Sequence, residues 1–148
     1  MGYIATEVRN VLTQLGIPVE ELNAVRFRSI RDGVQARFVA PGGSGPLWER
    51  IKEDVSIQDP EAWRWLGTIP LGGRAVLFFE ESEEPSGFVF DSAADVVSVL
   101  AESTGFEFYL TDEAMSFLAA FNHHDYLSAT GAAAQWLLAL KRSAPPRA

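Results

Sequence analysis

Residues 74–91 read RAVLFFEESEEPSGFVFD. Two apolar runs flank a connection made of Glu, Ser and Pro. The runs are rich in Val and Phe and too short for helices, which favours strands. They predict a β-hairpin over 74–80 and 87–91, and hairpins imply an antiparallel sheet. Downstream, Ser92 followed by Asp95 is close to a capping box, and Ala93, Val96, Val97 and Leu100 give a helix its apolar face, closed by Gly105. Residues 106–110 (FEFYL) and 115–121 (MSFLAAF) predict another hairpin, joined by Thr111, Asp112 and Glu113. A helix over 112–121 is the competing reading.

Upstream, Ile4, Val8, Leu12 and Leu15 form one stripe of a helix over 3–15, stopped by Gly16 and Pro18. Residues 24–39 alternate: Val25, Phe27, Ala36 and Phe38 against Arg26, Arg28, Gln35 and Arg37. That pattern predicts a hairpin turning at Arg31-Asp32-Gly33, with an arginine-bearing outer face. A Gly/Pro loop follows at 41–46, without the Lys-Ser/Thr of a phosphate loop. Helices are expected at 47–55, with Trp48, Ile51 and Val55 on one face, and at 60–66, capped by Asp59 and ended by Gly67. The chain is expected to close on a helix near 126–141, or on a strand at 126–129 with Thr130 capping a shorter helix, before a tail at 143–148. Together these elements predict a single α+β domain over 1–142. It is a mainly antiparallel sheet built from hairpins, with helices packed on one face.

Charge is unevenly placed. Residues 1–74 carry nine acidic and nine basic side chains, while residues 75–148 carry eleven acidic and three basic ones. No Lys or Arg lies between Ala75 and Leu140. Such a surface repels a phosphate backbone and attracts a basic protein, so nucleic acid is not an expected partner. The chain has no cysteine, which removes disulfides, thiol catalysis and cysteine-held metal. No apolar run reaches the ~20 residues that span a bilayer, and the first residues lack the layout of a signal peptide. A cytoplasmic location is expected. The candidate docking residues are Glu80, Glu81, Glu83 and Glu84 of the hairpin connection, with Asp91, Asp112, Glu113 and an exposed Trp63. The competing reading of the connection is a solubilising turn.

Asn122-His123-His124-Asp125 holds both histidines of the chain. Imidazole beside carboxylate suits acid–base or metal chemistry. Adjacent histidines, however, diverge on a strand or a helix and chelate one ion poorly. The other reading is architectural, with Asn122 or Asp125 capping the final helix, one histidine buried and the other exposed. No Gly-x-Ser-x-Gly elbow or dinucleotide fingerprint is present.

The stretch from Gly105 to Leu138 resembles the C-terminal half of uncharacterised small bacterial proteins. The shared features are Phe108-Tyr109, the apolar run at 117–121, Asn122 to Asp125, Gly131-Ala132-Ala133 and Trp136. In size, acidity and α+β make-up the chain also resembles immunity proteins of polymorphic toxins. That resemblance implies stoichiometric binding of a basic bacterial toxin domain, with no cofactor and no turnover. The alternatives are a small hydrolase or metal-dependent enzyme centred on His123, His124 and Asp125, or a small-ligand-binding accessory domain.

Overall fold

The computed structural model describes residues 3–42 and 45–143. The elements are α1 (Tyr3–Leu15), β1 (Val19–Glu21), α2 (Ala24–Phe38), β2 (Val55–Gln58), β3 (Ala75–Phe78), β4 (Gly87–Phe90), α3 (Ala93–Ala101), β5 (Phe108–Asp112), β6 (Phe117–Phe121), β7 (Tyr126–Gly131) and α4 (Ala134–Ser143). Short 3-10 helices occupy Leu47–Arg50 and Ala62–Thr68. The strands form one sheet in the order β1-β4-β3-β5-β6-β7-β2, and every neighbouring pair is antiparallel. The fold class is α+β, as expected.

The hairpin at 74–91 supplies β4 and β3, interior strands between the edge strand β1 and the central strand β5. Val76 pairs with Val89, and Phe78 with Gly87. Its side chains alternate between two cores. Ala75, Leu77, Phe88 and Phe90 join one cluster with α1, α3, α4 and the 3-10 helix at 62–68. Val76, Phe78 and Val89 join the other, with Phe27 and Val34 of α2 and Leu47. Helices therefore cover both faces of the sheet, not one. An unbroken apolar run is what a strand buried on both sides requires.

That second layer explains the main departure from the predicted elements. Residues 24–39 form the helix α2, not a hairpin. Its buried Phe27 and Val34 lie on one stripe with the half-buried Ile30 and Phe38, spaced three, four and four residues apart. Asn23 caps it, its Oδ1 accepting the Arg26 N–H at 2.8 Å. Gly33 makes no turn. A Cβ there would lie 2.3 Å from Met115 Sδ, so glycine lets the β5–β6 turn pack against the helix.

Three further boundaries differ. Tyr126 to Gly131 is a strand, as the alternative reading had it. Its partners are β6 on one side and β2 on the other. Thr130 is not a cap: buried, it donates its hydroxyl to the Lys52 carbonyl at 2.8 Å. Of 47–55 only Leu47–Arg50 is helical, and Val55 opens β2. The helix expected at 60–66 is a 3-10 helix over Ala62–Thr68 that runs through Gly67; Asp59 is not its cap but braces the turn ahead of it, its Oδ1 accepting the Glu61 N–H at 2.9 Å. Helix α1 is as expected, but Leu15 is exposed. Ser143 ends α4, and the rest of the expected tail lies outside the described residues.

The helix and the hairpin make opposite statements about Val25 and Phe27. In a hairpin both face the core; in α2 Phe27 is buried while Val25 is 76% exposed. Phe27→Ala is expected to cost about 3–5 kcal/mol in urea denaturation, and Val25→Ala less than about 0.5 kcal/mol.

Candidate functional site

The β6–β7 connection is built by Asn122. Its backbone N–H donates to the Tyr126 carbonyl at 3.2 Å, and its carbonyl accepts from Asp125 N–H at 3.0 Å. Asp125 adopts φ +64°, the left-handed residue that closes a three-residue hairpin loop. The buried Asn122 side chain braces the turn from below, its Oδ1 accepting the N–H groups of His124 (2.9 Å) and Tyr126 (3.2 Å). Neither Asn122 nor Asp125 caps the final helix, which starts at Ala134. Nor is either histidine buried; both are exposed at the tip of the turn.

The two imidazoles lie against each other with centroids 3.9 Å apart and planes tilted by 44°. Trp48, from the 3-10 helix on the α2 side of the sheet, meets both rings edge to face at 5.9 and 6.0 Å. Glu107 Oε2 accepts the His123 backbone N–H at 2.9 Å and also pairs with His123 Nδ1. A carboxylate beside Nδ1 selects the tautomer with the proton there, which leaves Nε2 as a hydrogen-bond acceptor. The carboxylate partner of the histidine is thus Glu107, not Asp125. Strand register explains this: Phe108 pairs with Phe121, so Glu107 stands opposite the turn.

The hairpin connection at 80–86 reaches the same place. Glu80, Ser82 and Glu83 line a cleft of about 560 Å³ together with Trp48, Glu49, Glu107 and the two histidines. Glu80 fixes its wall. Its Oε2 accepts the Leu47 N–H at 2.8 Å and the Tyr109 hydroxyl, while the Tyr109 oxygen accepts the Trp48 N–H at 3.1 Å. Burial, reinforced by Glu80, pushes the Tyr109 phenol well above its ordinary range, so it stays a donor. This latch sets the position of Trp48.

The other carboxylates of the connection have internal duties. Glu81 faces Arg28 and Arg31 of α2 at 3.5 and 3.4 Å. Glu84 is buried and accepts the Ala5 N–H at 2.9 Å, at the positive end of α1. Glu83 is left exposed on the cleft rim. The arginines of α2 are similarly engaged: Arg26 pairs with Glu20 at 3.1 Å, and Arg37 donates to the carbonyls of Ala114 and Met115. Arg26, Arg28 and Arg31 of α2 thus pair with carboxylates of the same chain.

The remaining candidates do not join this cleft. Asp112 and Glu113 lie at the far end of β5, roughly 13 Å along the strand from Phe108. Asp112 is buried and accepts the N–H groups of Gly72 (2.5 Å) and Ser116 (2.9 Å). Glu113 pairs with Arg74 at 2.9 Å. Asp91 is exposed next to the cap of α3. Trp63 is half-buried under the Arg64 guanidinium, 4.4 Å from its ring, and it borders an apolar cavity of about 80 Å³. Among the described residues no group of three or more His, Asp or Glu is placed to hold a metal ion. Sequence reading missed Glu107, the one charge inside FEFYL, and put Trp48 in a helical core face. Comparison with protein-family models, curated proteins and solved structures finds no match for this chain.

The pairs at the far end of the sheet give a pH signature. The Arg74 guanidinium holds the Glu113 carboxyl below its ordinary range, whereas Glu20 is lowered first by Arg26 and only then by Arg74. A lowered carboxylate stabilises the fold above its ordinary titration range, and that contribution is lost as pH falls through the lowered midpoint. In an NMR titration, Arg74→Met is expected to raise the Glu113 midpoint more than that of Glu20. Arg26→Met is expected to do the reverse.

Proposed function

We propose that this chain is a stoichiometric protein-binding domain of the immunity or inhibitor type, acting in the cytoplasm, and that the cleft at Trp48 and His123 docks a basic bacterial toxin domain. One observation carries the reading. The cleft gathers four glutamates and three rings and is lined by no Lys or Arg among the described residues. Glu80, Ser82, Glu83, Glu107 and both histidines of its lining come from the half of the sequence that has no basic residue before Lys141, and Trp48 and Glu49 join them from the other half. A concave acidic wall raises the encounter rate with a basic partner and rejects acidic ones. The docking residues are redrawn accordingly, with Glu83, Glu49 and Glu107 replacing the full run of connection glutamates.

A second reading, a small hydrolase, has one observation in its favour. Glu107 orients His123 as a general base, and Ser82 lines the same cleft. The small-ligand reading has less support, because the apolar cavity near Trp63 is far below the 300–1,000 Å³ that enclose ligands.

Immobilised protein should capture one basic protein from its native host. Raising salt from about 50 to 500 mM is expected to slow that association at least tenfold. Paired Glu49→Arg and Glu83→Arg reversals should lower the on-rate by a similar factor. Undiminished binding by the reversed protein would sink the electrostatic reading. Ester turnover abolished by Ser82→Ala would favour the hydrolase.

A further inference from the structure

Resting on the protein-binding reading, we infer that the cleft is a receptor for a single arginine side chain of the partner. The first reason is the unused half of two carboxylates. Glu107 spends Oε2 on both hydrogen bonds from His123, and Glu80 spends Oε2 on Leu47 and Tyr109. Among the described residues neither Oε1 has a partner. Each carboxylate is therefore held by one oxygen and offers the other from a fixed position on the wall. A preset acceptor costs little ordering entropy when a donor arrives.

The second reason is the ring cluster. Trp48, His123 and His124 are in mutual contact, and their faces attract a flat cation by stacking and by the ring quadrupole. His123 adds Nε2 as a third acceptor, because its Nδ1–H donates to the Glu107 carboxylate. Flat rings with separated acceptors suit a guanidinium, which is planar, weakly hydrated and carries five donors in a fork. An ammonium is compact, strongly hydrated and offers no plane to stack. The cleft, at about 560 Å³, has room for an arginine and the main chain that bears it. Glu83 and Glu49 at the mouth neutralise whatever further basic residues flank that arginine.

The test is an NMR titration of the whole chain with three probes: N-acetyl-arginine amide, its lysine counterpart, and its neutral isostere N-acetyl-citrulline amide. The arginine probe is expected to bind in the millimolar range, shifting the Trp48 indole signal and the His123, His124 and Glu107 amides. Lysine should bind at least about fivefold more weakly, and citrulline should produce no saturable shift. Glu107→Gln keeps the size of the side chain and removes its charge. It should weaken arginine binding about tenfold, whereas Glu102→Gln, at the exposed C-cap that follows α3, should not. The fold of each variant is read from the same spectra.

Equal binding of citrulline or lysine, shifts outside the cleft, or an unaffected Glu107→Gln would each overturn the inference. Its failure is separable from failure of the wider reading. A partner still lost on Glu49→Arg and Glu83→Arg reversal, but held undiminished by Glu107→Gln, removes the arginine receptor and leaves the docking face. A partner indifferent to all three removes both.

Discussion

Burial of the β3–β4 hairpin on both faces is the constraint from which the other features follow. Leu77, Phe88 and Phe90 on one side and Val76, Phe78 and Val89 on the other are all removed from solvent. Each buried side chain of this size contributes about 1.5–3 kcal/mol, so neither face can be left to water. One layer comes from α1, α3, α4 and a 3-10 helix. The other has to come from the segment between β1 and β2, and α2 with the Leu47–Arg50 turn provides it.

The same packing positions the cleft. Phe27 of α2 meets Phe78 edge to face at 6.5 Å, and Phe78 stacks on Tyr109 at 5.3 Å. Tyr109 then passes its hydroxyl to Glu80 and its oxygen to the Trp48 N–H. An aromatic ladder through the second core thus ends in a polar latch, and the latch holds Trp48 beside the histidines. The acidic connection of β3–β4 and the turn of β6–β7 come from distant parts of the chain. They meet because β3 and β6 flank β5 in the sheet.

Charge has two roles in this molecule. Glu81, Glu84 and Glu113 are tied to Arg28 and Arg31, to the α1 N-terminus and to Arg74 respectively. These contacts are mostly exposed, and such pairs contribute little to stability individually. Glu83 and Glu49 are exposed at the cleft instead, where they act on what approaches. A bulk charge of −8 says nothing of this division.

By itself the sequence determined the parts whose signals are local. The α1 helix, the Ser92 cap of α3, and the hairpins of β3–β4 and β5–β6 depend on neighbours a few residues away, and they form as read, except that β5 starts and ends two residues later than expected, taking in Thr111 and Asp112 of the expected turn. It also marked Asn122 to Asp125 as a place of interest. Tertiary structure decided the rest. Period-2 and period-3.6 patterns both fit 24–39, and only a bare sheet face needing cover selects the helix. The first part of the helix expected at 126–141 gave way to β7, leaving α4 to start at Ala134, because an unfilled edge of β6 rewards a strand more than local propensity rewards a helix. The partner of His123 was illegible for a related reason. Glu107 and the histidine are sixteen residues apart, and strand register, not spacing in the chain, brings a carboxylate to an imidazole.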